Sequence, residues 1–199
     1  MGKIYYLMGK SASGKDTIFR HLLTECPDLK RTMLYTTRPR RDGERDGVEY
    51  YFTTKEVLKE LDSRGKVIES RTYQTVQGPW IYATVDDGQV GLDERDYLAI
   101  GTLESYMKIR DYYGADVVVP VYITVDDGIR LERALERERR QKEPKYQELC
   151  RRFLADEKDF SNENLKKCGV SRSYVNDDLD RCVQSIKEMI KGYSNSGNI

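Results

Sequence analysis

The chain has 199 residues, with 34 Lys and Arg balanced by 34 Asp and Glu, so its formal net charge is zero. That length suits one domain carrying mobile insertions rather than a multi-domain assembly, and the balanced charge supplies no global field for nucleic acid or an anionic membrane. No segment approaches a membrane span, and no charged leader with an apolar stretch precedes the first strand. Cys26, Cys150, Cys168 and Cys182 lie far apart without a Cys-x-x-Cys pair and His21 is the sole histidine, which leaves structural zinc without ligands and makes a reducing cytoplasm the expected compartment.

The apolar run Ile4–Met8 leads into Gly9-Lys10-Ser11-Ala12-Ser13-Gly14-Lys15-Asp16-Thr17 and then into a helix-like segment, Thr17–Thr24. Strand, glycine-rich loop and helix in that order build a phosphate cradle. The glycines permit a backbone that aims successive N–H groups inward at the positive end of the helix, and Lys15 adds a point charge for the β- and γ-phosphates of a nucleotide. The residue after such a lysine is normally Ser or Thr, whose hydroxyl holds Mg²⁺; here it is Asp16, with the hydroxyl displaced to Thr17. Two readings of Asp16 stand: a ligand to the cation, directly or through water, or a first-turn carboxylate that suits the helix dipole.

From Arg31 to Glu94 the composition shifts to Tyr, Thr, Arg and Gly. This stretch reads as an insertion with its own small sheet. Strands are predicted at Met33–Thr37, Tyr50–Phe52, Val67–Arg71 and Ile81–Val85, a short helix at Lys55–Leu61, and turns at Asp42-Gly43, Asp46-Gly47 and Gly78-Pro79. Arg38, Arg40, Arg41 and Arg45 crowd its opening, with Glu44, Tyr50 and Tyr51 close behind. Guanidinium forks match phosphate oxygens bidentately, and a phenol adds a hydrogen bond. A solvated basic loop, or an RNA-binding patch with stacking tyrosines, is the competing reading.

Beyond the insertion, strands at Tyr97–Ile100 and Val117–Val125 alternate with helices at Leu103–Tyr112 and Ile129–Arg140, the rhythm of an α/β core with a mainly parallel sheet. Glu132–Lys158 is dense in Glu, Arg and Lys and is predicted to be a solvated, movable helical pair. Leu179, Cys182, Val183, Ile186, Met189 and Ile190 recur at helical spacing and form one core-facing stripe, while Ser194–Asn198 reads as a frayed tail.

Thr36-Thr37-Arg38-Pro39-Arg40-Arg41-Asp42-Gly43-Glu44 and Asp46-Gly47-Val48-Glu49-Tyr50-Tyr51-Phe52, placed after the phosphate loop, resemble the acceptor-binding segment of guanylate kinases. Val67-Ile68-Glu69, Tyr82-Ala83-Thr84, the series Arg133, Arg137 and Arg152, and Val175-Asn176-Asp177-Asp178-Leu179 extend the resemblance over nearly the whole chain. It implies a P-loop kinase fold: a mainly parallel core sheet flanked by helices (1–31, 95–125 and 160–199), an inserted small mixed sheet for the acceptor nucleotide (32–94), and a helical lid (126–159). The implied activity is ATP-dependent phosphorylation of a nucleoside monophosphate, GMP to GDP, with ATP and Mg²⁺. The implied partners are these nucleotides alone, without nucleic acid or membrane, in a monomer or homodimer.

Carried onto this sequence, the resemblance gives ATP binding to residues Gly9 through Thr17 and Asn176, metal organisation to Asp16 or Thr17, and charge stabilisation during transfer to Lys15, Arg38, Arg41, Arg133, Arg137 and Arg152. Arg38, Arg41, Tyr50 and Tyr82 would hold the acceptor phosphate, Glu44 joins the substrate-binding set, and Glu69 with Thr84 would take the guanine, whose ring N–H and exocyclic amine suit a carboxylate. For Asn176 a turn or helix-cap role reads equally well. The chain also departs from the family pattern. Leu34 stands where a serine contacts the base, Gly101 where an acidic residue organises the acceptor and metal, with Glu104 as a possible substitute, and four extra residues fall around Val76–Pro79. Gly88 and Gly91 weaken the helix expected after the insertion. The first twenty residues also resemble ribose 1,5-bisphosphate phosphokinases, and a non-catalytic guanylate-kinase-like interaction module is a third reading, opposed by the intact loop and lid arginines.

Overall fold

The computed structural model describes residues 1–75 and 78–196, the last three as backbone only. The chain runs β1 (Ile4–Met8), α1 (Lys15–Glu25), β2 (Lys30–Arg31), β3 (Tyr35–Thr36), β4 (Tyr51–Phe52), α2 (Lys55–Ser63), β5 (Val67–Thr75) and β6 (Gly78–Val85). It continues through β7 (Tyr97–Gly101), α3 (Leu103–Tyr113), β8 (Val118–Thr124), α4 (Asp127–Arg139), α5 (Tyr146–Asp159), α6 (Asn162–Lys167), β9 (Ser173–Val175) and α7 (Leu179–Ser196).

β1 is buried at every residue, as a central strand covered on both faces must be. It lies in a five-stranded sheet of order β2-β7-β1-β8-β9 in which every pairing is parallel. One face of that sheet packs Leu7, Leu98 and Ile123 against Ile18 and Leu22 of α1 and Cys182, Val183 and Ile186 of α7. The other packs Ile4, Met8 and Val118 against Tyr106 and Ile109 of α3, with Phe160 and Leu165 closing the edge. α3 begins at a reciprocal cap, in which the Thr102 hydroxyl accepts from the Ser105 N–H and the Ser105 hydroxyl accepts from the Thr102 N–H.

The insertion forms a second sheet of order β4-β3-β6-β5. It is mixed: β3 pairs in parallel with β4 and antiparallel with β6, and the long β5–β6 ribbon is antiparallel. Three expectations shift here. The strand expected from Met33 shrinks to Tyr35–Thr36, Tyr50 falls outside β4, and Gly78-Pro79 opens β6 instead of forming the turn. Val76 and Gln77, part of the expected loop extension, lie outside the described residues. No helix forms between β6 and β7, where Gly88 and Gly91 stand.

α4 and α5 are the expected charged pair, with one exception. Arg130 is buried to 1% exposure, stacked 4.1 Å above the Phe153 ring. The two-residue β2, β9 and the short α6 carried no sequence signal strong enough to read. α7 runs to Ser196, so the stretch expected to fray is helical as far as it is described. No helix among the described residues is long and apolar enough to cross a membrane.

Candidate active site

The loop between β1 and α1 carries Ala12 at φ 62° and Gly14 at φ 91°, two successive departures into left-handed backbone that turn the chain into the helix. Gly14 cannot be replaced without strain, because a Cβ there would also strike the Asn176 amide. Asn176 itself is buried and sits behind the loop: its side-chain amide donates to the Ser13 carbonyl at 2.7 Å and its own N–H to the Thr124 carbonyl at 2.7 Å. The capping work in that segment falls to Asp178, which accepts from the Arg181 N–H. Asn176 therefore braces the loop from the end of β9.

Lys15 opens α1 half-buried, and burial pulls its ammonium pKa below the ordinary lysine value. Asp16 and Asp156 oppose that shift while Arg152 and Arg137 reinforce it, so the lid arginines share the field of this lysine. Arg133 donates to the Asn176 carbonyl at 3.2 Å, and Arg152 to the Ser11 hydroxyl at 3.2 Å. Arg133 and Arg152 thus both reach the loop segment and its brace. The Asp16 side chain, exposed at the helix start, is felt by Lys15 on one side and by Tyr50 of the insertion on the other.

A set of lid carboxylates competes for the same loop. Asp156 accepts from the Ser11 N–H at 2.7 Å, and Glu157 pairs with Lys10 at 2.6 Å. Arg130 ties them together, bonding Asp127, Asp156 and Glu157 and donating to the Ser11 carbonyl. Lys10, expected among the phosphate contacts, is thereby paired with Glu157. Sequence reading passed over Arg130, Asp156 and Glu157 because a charged helix face looks solvated wherever it is not seen against its neighbour.

Across from the loop, Arg38 is only 4% exposed. Its guanidinium bonds Glu44 at 2.7 Å and the Pro39 carbonyl at 2.9 Å, and lies over the rings of Tyr50 and Phe52 at 5.4 and 5.6 Å. Burial works against its charge, but the Glu44 carboxylate and the Tyr82 phenol outweigh that and hold it above the ordinary arginine value. Glu44 also accepts from the Arg41 N–H, while the Arg41 side chain is exposed. Tyr50 and Tyr82 meet edge to face at 5.6 Å. Arg38, Glu44, Tyr50 and Tyr82 thus form one cluster, with Arg41 at its rim.

Glu69, Arg71 and Tyr73 alternate onto one face of β5, and Glu69 and Arg71 lie directly opposite Thr84 and Tyr82 of β6. Glu69 is buried, with Oε1 accepting from the Thr84 hydroxyl at 2.8 Å and from Arg71 at 3.3 Å, while Oε2 faces Arg71 Nε at 3.2 Å. Arg71 reaches on to the Thr102 hydroxyl of the core at 3.5 Å. Its position two residues after Glu69 on a strand was the available signal; only the cross-strand register shows that it joins the cluster.

Gly101 has a steric cause. A Cβ at this position would strike the Tyr6 hydroxyl and lie 2.7 Å from Ser105 Oγ, so no acidic side chain fits where the resemblance expects one. Tyr6 and Ser105 share a buried hydrogen bond of 2.7 Å in that space. Glu104 does not substitute, since it pairs with Lys108 on the outer surface of α3 at 3.1 Å. Leu34 lines a small apolar cavity together with Tyr6, Thr84 and Ala99.

Comparison with known proteins agrees with this architecture. Residues 1–193 match the guanylate kinase family model. The chain is similar to the guanylate kinase of Symbiobacterium thermophilum, 31% identical over 95% of this chain and 84% of the relative, and to that of Zymomonas mobilis, 25% identical over 95% and 83%. A crystal structure of guanylate kinase from Anaplasma phagocytophilum superposes with a TM-score of 0.66, covering 96% of this chain and 86% of that one at 20% identity, which establishes the shared fold. A parallel core carrying a phosphate loop, a small mixed sheet beside it and a charged helical pair above it thus coincide with a family match along almost the whole length: this chain belongs to the guanylate kinase family.

Proposed function

We propose that this chain catalyses ATP + GMP → ADP + GDP, with residues 32–94 as the acceptor-binding unit, 126–159 as the lid, and the remainder as the donor-binding core. The observation that carries this reading is a pair of cation clusters, one of Lys15 with Arg133 and Arg152 reaching the phosphate loop, the other of Arg38 held by Glu44 over Tyr50, which packs on Tyr82. In this reading the first holds an anionic donor and the second an anionic acceptor.

Little covalent work is asked of the protein in phosphoryl transfer; position and charge do most of it. In this reading the loop amides of residues 9–14 and Lys15 bind the β/γ-phosphates of ATP, and Asn176 keeps the loop backbone in place from behind. Arg133, Arg137 and Arg152 neutralise the migrating group from the lid, while Arg38, Arg41, Tyr50 and Tyr82, with Glu44 holding Arg38, orient the acceptor phosphate. Glu69 and Thr84 face the base. Asp16 makes no hydrogen bond or ion pair through its carboxylate among the described residues, and Thr17 follows with a hydroxyl; these hard oxygens suit Mg²⁺ held partly through water. Bound there, the ion would supply charge neutralisation between the phosphates.

The test is a coupled ADP-release assay with ATP, Mg²⁺ and each nucleoside monophosphate. GMP turnover that depends on Lys15 is the expected result; identical rates for the wild type and Lys15→Met with every acceptor would overturn the assignment. Calorimetry with ATP–Mg²⁺ separates an enzyme from an interaction module of the same fold, which would give no heat.

A further inference from the structure

The base end of the acceptor site holds a buried ion pair rather than a bare carboxylate. Glu69 is wholly buried and Arg71 retains slight exposure, with side-chain values of 0% and 14%. Glu69 Oε1 has both of its lone-pair positions in use, one by the Thr84 hydroxyl and one by Arg71. Oε2 faces Arg71 Nε at 3.2 Å at an angle that leaves both atoms without a hydrogen bond, and both are sealed from solvent. The carboxylate thus has acceptor capacity left on one oxygen only. Arg71 has five N–H donors, and its two hydrogen bonds, to Glu69 and Thr102, are long at 3.3 and 3.5 Å. On the flank, Leu34 and Ala99 line a small cavity, and Tyr6 fills the space beside Gly101.

A guanine edge presents a carbonyl oxygen, a ring N–H and an amine. A carboxylate with both oxygens open accepts from the N–H and the amine together. The Glu69–Arg71 pair offers instead an arginine fork rich in donors, with the carboxylate closed behind it, and that fork complements the carbonyl oxygen. We propose that Arg71 is a specificity-determining residue: it moves base reading onto the 6-oxo group, so that the acceptor class is the 6-oxopurine monophosphates with little dependence on the 2-amino group. This rests on the kinase assignment above and refines its acceptor. The carboxylate is the deeper member of the pair, so the guanidinium is the part an incoming base meets first.

A site that hydrogen-bonds a particular substrate donor rejects an analogue lacking it by about 10⁴-fold. Here the wild type is expected to use GMP and IMP, which differ only in the 2-amino group, with kcat/KM values within about ten-fold of each other. Arg71→Met frees the second lone pair of Oε1 for the amine while removing the donor to the carbonyl. Its absolute kcat/KM falls for both acceptors, and its GMP-to-IMP ratio rises at least ten-fold above that of the wild type. The ratio is the decisive quantity, because a residue that only supports the fold lowers both values together. If Arg71→Met does not fold, Arg71→Gln removes the charge but keeps an amide donor, and a raised ratio carries the same meaning. A wild type that prefers GMP by more than 100-fold, or a ratio unmoved by either variant, overturns the proposal and leaves the kinase assignment intact. Turnover of neither nucleotide overturns both.

Discussion

The proposed phosphate end and base end of the acceptor face share one face of a single ribbon, where Arg71 lies opposite Tyr82 and, two residues along, Glu69 opposite Thr84, yet they are organised in opposite ways. At the phosphate end Arg38 is anchored by a carboxylate only six residues away and stacked on rings from the same segment. At the base end the carboxylate is clamped by a residue on its own strand and a hydroxyl from the neighbouring one, and the cluster reaches into the core through Thr102. The difference teaches that, in the proposed assignment, phosphate reading is a local property of a short segment, whereas base reading belongs to an assembly of strands and can be rewired while the local motif stays in place.

Changes on the donor side should be blind to the base. Lys15→Met is expected to lower kcat/KM by about 10³-fold for every acceptor alike, since a preorganised cation at the transferring group is lost; steady-state rates with GMP and IMP measure it. The same change should stabilise the nucleotide-free protein. Burial lowers the folded-state pKa of Lys15, so between that value and the ordinary lysine value the unfolded chain binds the extra proton, and stability rises with pH through this interval. Below it the buried charge carries its full desolvation cost, and removing that charge should raise Tm at neutral pH by a few degrees, on the order expected for a chain of this size. A Tm that falls in Lys15→Met would show that the lysine is not strained by burial.

Arg38→Ala cuts the comparison at the phosphate end. A loss of about 10²-fold in kcat/KM, mostly through the acceptor KM, is expected with the GMP-to-IMP ratio unchanged. A shift in that ratio would mean that the two ends are not separable. Thr84→Val works at the base end, removing the hydroxyl that occupies Glu69 Oε1. Its expected effect is several-fold, corresponding to about 0.5–1.5 kcal/mol, and should favour GMP over IMP because an acceptor position is released. Thr102→Ala is the mildest probe: loss of the cap at the start of α3 should cost about 1 kcal/mol in denaturant unfolding while leaving the acceptor preference close to that of the wild type.

How much of this was legible beforehand follows the same division. The phosphate loop and the Arg38–Tyr50 segment are runs of contiguous residues, and the alternation of apolar runs with helical spacing reported the parallel core, because a strand such as Ile4–Met8 covered on both faces has no room for polar side chains. β2 and β9, two and three residues long, fall below any periodicity, and they exist because neighbouring strands offer unpaired edges. Arg71 and Arg130 were invisible for a related reason. Each is an arginine among many in a sequence with a third of its residues charged; the strand pleat sets Glu69 beside Arg71, and packing of α5 on α4 adds Asp156 and Glu157 to Asp127 around Arg130.

The tyrosine beneath Gly101 constrains how this pocket can change. Because the phenol of Tyr6 occupies the volume that any side chain at position 101 would need, Gly101→Asp introduced alone must either expel that ring from the core or leave two oxygens overlapping. Tyr6 has to shrink before residue 101 can grow. The pocket therefore admits an ordered route between two chemistries, with the interior substitution first and the surface-facing one second, and lineages or designs that attempt the reverse order meet a steric dead end.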